Sequence, residues 1–270
     1  GETRDAQLIG LTIRNGEGNS DRGGGITISN TSAPLIEDVV IENNSSPAYG
    51  GGIRVREKAR PLLRNVTVRH NSAGSGGGIH ISESTVRLDA VTIDSNDAML
   101  MGGGLFISGE SDVTAHRLRV TGNTVTAVLG GGVALMQGAR GTFSHATVAD
   151  NDGGMQGGGF FLSDSSFLNI VNSIIWQNTP SEIGLNGSGI ACELAVTHTL
   201  LAGGEAAVTP DFHTVVFEEA IWDTTPGFDP EDDSYTLAEN SLVIDAGTML
   251  WQVDGETLFA ADTNDYVGDA

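Results

Sequence analysis

"GSGGGIHIS", residues 74–82, sets three glycines directly before an apolar–polar alternation, and the chain uses this arrangement six times. Aligned on the glycines, the openings are GGGITI (23–28), GGGIRV (50–55), GGGIHI (76–81), GGGLFI (102–107), GGGVAL (130–135) and GGGFFL (157–162). They recur at steps of 27, 26, 26, 28 and 27 residues. A second marker keeps the same beat. VVIENN, VTVRHN, VTIDSN, LRVTGN, ATVADN and SIIWQN end on Asn44, Asn71, Asn96, Asn123, Asn151 and Asn178. A third column, Ile36, Leu63, Leu88, Ala115, Phe143 and Ile170, stands three residues ahead of each of these segments.

Each unit therefore holds three short stretches of period two, separated by Gly, Asn, Ser and Asp, which is the chemistry of strands and turns. No unit can bury its apolar side chains alone, but stacked units would share one continuous core. The spacing predicts an all-β, right-handed parallel β-helix of about 27 residues per coil. Successive coils would pair in parallel at roughly 4.8 Å, with the hand set by the general chirality of parallel crossovers. We expect coils over 1–203 and a C-terminal capping segment of the same domain over 204–270.

On this reading the triplets form a glycine column at one corner of the solenoid, where left-handed angles and close backbone approach are needed. A phosphate-cradling loop would need a following helix and a nearby lysine. Here a strand follows each triplet, and Lys58 is the chain's one lysine. The asparagines are expected to tolerate left-handed turns and to hydrogen-bond as a ladder of stacked amides.

Composition narrows the class. Hydrophobic residues at 39% are too many for a disordered chain, so the 38 glycines are not linker material. No apolar run reaches the length of a membrane span, and the first residues carry no basic-then-apolar leader pattern. The chain starts in the middle of a pattern, so a mature or excised fragment is expected. One cysteine, Cys192, excludes an internal disulfide. All 13 Lys and Arg lie within residues 1–140, whereas the remaining residues carry 21 Asp and Glu and no Lys or Arg. Such a polyanionic half disfavours nucleic acid and anionic lipid as partners.

These motifs carry a resemblance. The paired GGG-(I/L/V) and xxN repeats resemble those of polymorphic outer-membrane autotransporters and of secreted bacterial proteins in the pectate-lyase-like β-helix superfamily. The tail segments VTHTLLAGG (196–204), IWDTTPGFDPEDDSYTLAENSLVIDAGT (221–248) and DYVGDA (265–270) are similar to the close of choice-of-anchor β-helix proteins. The resemblance implies a secreted or cell-surface, non-catalytic module with an adhesive or structural role, whose partner would be an extracellular glycan or surface protein. The same fold also carries lyases, epimerases and hydrolases, so it does not decide function. The open N-terminal edge allows end-to-end self-association.

An enzymatic alternative rests on the outward column after each triplet: Thr27, Arg54, His80, Phe106, Ala134 and Phe161. A lyase acting on acidic sugars needs a base beside the sugar carboxylate and a cation to neutralise it. Arg54 and His80 are the candidates, because stacking brings them one strand apart, with Glu57 and Glu83 following one another similarly. The plainer reading is a solvated face in which Arg54, Arg56, Glu57 and Glu83 offset each other's charge, with a glycan-binding face as a third option. Asp229, Glu231, Asp232 and Asp233 form an oxygen-rich segment that reads as a solvated turn or as a calcium site; no other cofactor is indicated. The apolar strips AMLM (98–101) and TAVL (126–129) read as a partner surface or as packing beneath a larger turn, and Trp176, Trp222 and Trp251 as plugs for the open end.

Overall fold

The computed structural model describes residues 3, 5–127, 129–186, 190–209, 214–221, 225–228, 235, 250–253 and 256–260. The chain winds as a parallel solenoid whose coils each lay one strand on three long sheets. Sheet 1 has nine strands, from Gln7–Ile9 to Thr214–Glu218; sheet 2 has eight, from Thr12–Arg14 to Leu200–Leu201; sheet 3 has eight, from Ile26–Ile28 to Val208–Thr209. Between sheets 2 and 3 the chain makes an outward excursion, and Ser45–Tyr49, Ser72–Ser75, Asp97–Met101 and Thr124–Val125 pair into a fourth sheet, a flap.

The register explains the columns. Ile36, Leu63, Leu88, Ala115, Phe143 and Ile170 are direct partners up sheet 1. Ile41, Val68, Ile93, Val120, Val148 and Ile175 are partners up sheet 2. Sheet 3 turns two columns inward, one being Ile53, Ile79, Leu105, Val133 and Phe160. All seventeen of these residues are at most 2% exposed and belong to one continuous core. Burying a side chain of this size is worth about 1.5–3 kcal/mol; no single coil supplies the walls to do it.

The three glycines of a triplet have different tasks, shown at residues 76–78. Gly76 takes φ +64°, turning the chain from flap to sheet 3, and a side chain there would also strike His80. A Cβ on Gly77 would collide with the carbonyl oxygen of Asp97 in the coil above. One on Gly78 would lie 2.6 Å from the Gly104 carbonyl oxygen and 3.0 Å from the Asn96 amide. The asparagines differ from expectation in one respect. The left-handed residue is the one before each of them, Asn43, His70, Ser95, Gly122, Asp150 and Gln177. That frees the asparagine side chain to point inward, where Asn44 through Asn178 are at most 6% exposed.

Past residue 203 the coil pattern continues for a while. A 3-10 turn, Gly204–Ala207, replaces the asparagine corner, after which Val208–Thr209 and Thr214–Glu218 extend sheets 3 and 1. An antiparallel hairpin, Leu250–Val253 with Glu256–Ala260, lies near the C-terminus. Most of the expected capping segment, with Trp222 and the side chain of Trp251, is outside the described residues.

Candidate functional site

Arg54 and His80 are register partners on the outward side of sheet 3, one strand apart as the stacking predicts. That side is roofed by the flap. Arg54 is 9% exposed, and its Nη1 donates to the Ser20 carbonyl at 3.0 Å. Its guanidinium carbon sits 5.0 Å above the Tyr49 ring, a cation–π geometry. Burial first, then the neighbouring Arg56, pulls its pKa below the ordinary guanidinium value.

His80 is 4% exposed and stacks between two rings, with centroids 4.6 Å from Tyr49 and 5.0 Å from Phe106. Its Nε2 meets Ser108 Oγ at 3.2 Å, while Nδ1 has no hydrogen-bond partner. Burial, reinforced by the charge on Arg54, pushes its pKa down to about 3. The imidazole is therefore neutral across the physiological range and behaves as one more aromatic plate. Farther up the same column Phe106, Ala134 and Phe161 form a second apolar cluster, against which Met101, Leu129 and Met136 pack.

Glu57 and Glu83 lie elsewhere. Both occupy the corner between sheets 3 and 1 in left-handed conformations, with φ 58° and 48°, and both are exposed. Glu57 sits 3.4 Å from Arg56 Nε, and Arg56 also clasps Asp21, holding that carboxyl below the usual carboxylate range. Glu83 lines an open hollow of about 540 Å³ with Lys58, Gly109, Glu110 and Gln137. The four candidates thus divide into a roofed pair and an exposed corner pair. Among the described residues no group of three or more His, Cys, Asp or Glu could hold a metal ion. The candidate calcium residues Asp229, Glu231, Asp232 and Asp233 are outside the described residues.

In the apolar strip 98–101, on the flap, Ala98 is buried, while Met99 and Leu100 are 55% and 41% exposed. Trp176 is half-buried on the outward side of sheet 2, at the wall of a pocket of about 360 Å³.

One residue that the repeats do not mark stands out in that pocket. Glu182 is 6% exposed, and its carboxylate accepts from Asn178 Nδ2 at 2.6 Å. The seventh coil has no glycine triplet, so nothing in the sequence aligns Glu182 with the third glycine of the others. The register does: the Phe160 N–H donates to the Glu182 carbonyl at 2.9 Å, as the Ile79 N–H donates to that of Gly104.

The sequence also compares with known families. A family model described as a right handed beta helix region matches residues 24–203. Comparisons with curated proteins and with solved structures gave no match. The matched span contains the asparagine ladder from Asn44 to Asn178 and most of the three in-register sheets. The chain belongs to the right-handed β-helix family, which holds both enzymes and surface or structural modules.

Proposed function

We propose that the protein is a non-catalytic extracellular β-helix module of a bacterial surface or secreted protein, with an adhesive or structural role. The observation that carries this reading is the state of Arg54 and His80. A base beside an acidic sugar must reach solvent and cycle its proton near the working pH. His80 is instead clamped between Tyr49 and Phe106 and held neutral, and Arg54 is tied to Ser20 and Tyr49 under the flap. Glu57 and Glu83 face another corner, so the four groups do not meet around one substrate. The tail motifs support surface placement by resemblance. No helix among the described residues is long and apolar enough to cross a membrane.

The first coil presents the outer edges of Gln7–Ile9, Thr12–Arg14 and Ile26–Ile28. A hollow of about 530 Å³ at that end is lined by apolar Leu8, Ile26 and Ile28 together with polar Thr27, Ser29 and Asn30. End-to-end association of copies is part of this reading. The test is a turnover screen with acidic and neutral polysaccharides, with and without calcium, following unsaturated products and new reducing ends. No product is expected from any polymer. Product that disappears in Arg54→Ala or His80→Ala would overturn the proposal and place an active site beneath the flap.

A further inference from the structure

The asparagine ladder has a direction. Each Nδ2 donates toward the C-terminal end, to Oδ1 of the asparagine one coil on: Asn71 to Asn96 at 3.0 Å, Asn96 to Asn123 at 3.0 Å, Asn123 to Asn151 at 2.9 Å. The backbone N–H of each asparagine donates to that same oxygen. At the foot, Asn44 Oδ1 accepts from the Gly16 N–H at 2.9 Å, so the lower end is closed by backbone. The upper end needs an acceptor for two donors of Asn178, and the next coil brings the 3-10 turn in place of an asparagine.

Glu182 supplies that acceptor. Its carboxylate takes Asn178 Nδ2 at 2.6 Å and the Asn178 N–H at 3.3 Å to either oxygen. The exchange is steric as well as chemical. A Cβ at Gly159, the third glycine one coil below, would lie 3.0 Å from the Asn178 amide. Glu182 has no asparagine above it, so a side chain fits where the others could carry none, and it fills the place the missing amide leaves.

This acceptor is buried, and no cation is among the charges that act on it. The last Lys or Arg of the chain is Arg140. The charged group that acts on Glu182 is acidic, Asp150 on the corner of the coil below, whose carboxylate accepts from the Tyr235 hydroxyl. Burial, with a smaller push from Asp150, raises the Glu182 carboxyl to about 7 against the opposing bonds from Asn178. The pocket beside it is walled by Trp176, Pro180, Ala202, Gly203, Ala206 and Ala207.

We propose that Glu182 is a proton-operated latch at the end of the ladder. With the carboxyl neutral, the last coil stays closed over Asn178. Loss of that proton to solvent loosens the coil and widens the pocket between Trp176 and the 3-10 turn. The sign follows from linkage. The folded site holds its proton to higher pH than the open one, whose ordinary value is 4.5, so closure weakens as pH rises from 4.5 towards 7.

Hydrogen exchange on the intact chain tests this, with intrinsic rates divided out between pH 5 and 8.5. Amides of Ile174–Trp176 and Ile183–Leu185 should open on the order of a hundredfold more readily at the upper pH. Those of Ile79–Ser82 in the middle of the solenoid should show no such rise toward the upper pH. Glu182→Gln offers Asn178 an acceptor without a charge, so its last coil should remain protected throughout. Asp150→Asn should move the wild-type midpoint to lower pH. A pH-independent wild type, or an unchanged pH response in Glu182→Gln, would overturn the proposal.

Discussion

The asparagine corner and the outward column of sheet 3 run side by side up the same six coils, and they obey opposite rules. At the corner the same residue recurs from Asn44 to Asn178, because each short amide donates to the neighbour above and accepts from the one below. In those coils the outward column reads Arg54, His80, Phe106, Ala134, Phe161 and Gly184 in unbroken register. There the flap adjusts to what lies beneath it. Identity is thus enforced where coils bond to coils, and variety is allowed where a separate layer covers the sheet.

Breaking the corner should cost most. Asn123→Ala strands the two donors of Asn96 and leaves the Ile93 and Thr121 carbonyls without their amide. At about 1–3 kcal/mol per buried group left unsatisfied, chemical denaturation should show a loss of roughly 4 kcal/mol. Next comes the glycine column. Gly77→Ala forces a methyl group against the Asp97 backbone, and overpacking of this kind costs about 1–3 kcal/mol. The same measurement should find it near the top of that range, and a neutral result would mean that the coils can spread apart.

The outward column should behave more gently, and through pH. The folded state depresses the His80 pKa to about 3, so the neutral ring's contribution is complete above the ordinary value of 6.5 and is lost as pH falls toward 3. Between pH 7 and pH 5 the wild type should lose about 2 kcal/mol on this account. His80→Phe keeps a ring between Tyr49 and Phe106 and should flatten that slope while leaving stability at pH 7 within about 1 kcal/mol. An unchanged acid slope would show that the ring is not sealed from water. Smallest of all should be Leu100→Ser on the flap, within about 0.5 kcal/mol in thermal denaturation.

The same contrast explains what the sequence made readable. Inward positions such as Ile36, Leu63 and Leu88 repeat because packing leaves them little choice, so the coil length, the three sheets and the ladder were all visible as periodicity. The flap was not. SSPAY, SAGS and DAMLM share no pattern, and only their pairing in space turns them into a sheet that buries Arg54 and His80. A residue two places past a glycine triplet reads as outward, which is true, and therefore as exposed, which the roof makes false. Glu182 escaped notice for the opposite reason. It stands where the repeat stops, so no aligned neighbour marks it. The left-handed position before each asparagine also stayed hidden, because Asn, His, Ser, Gly, Asp and Gln all fill it.

The one-way ladder bears on how such a chain can lengthen by inheritance. Copying an internal unit inserts one more asparagine that accepts from below and donates above, and both termini of the series are left as they were. The Gly16 foot and the Glu182 head are needed once each, however many units lie between them. Solenoids of different heights can therefore descend from one another by duplication of whole units, with no new terminus to invent at any step.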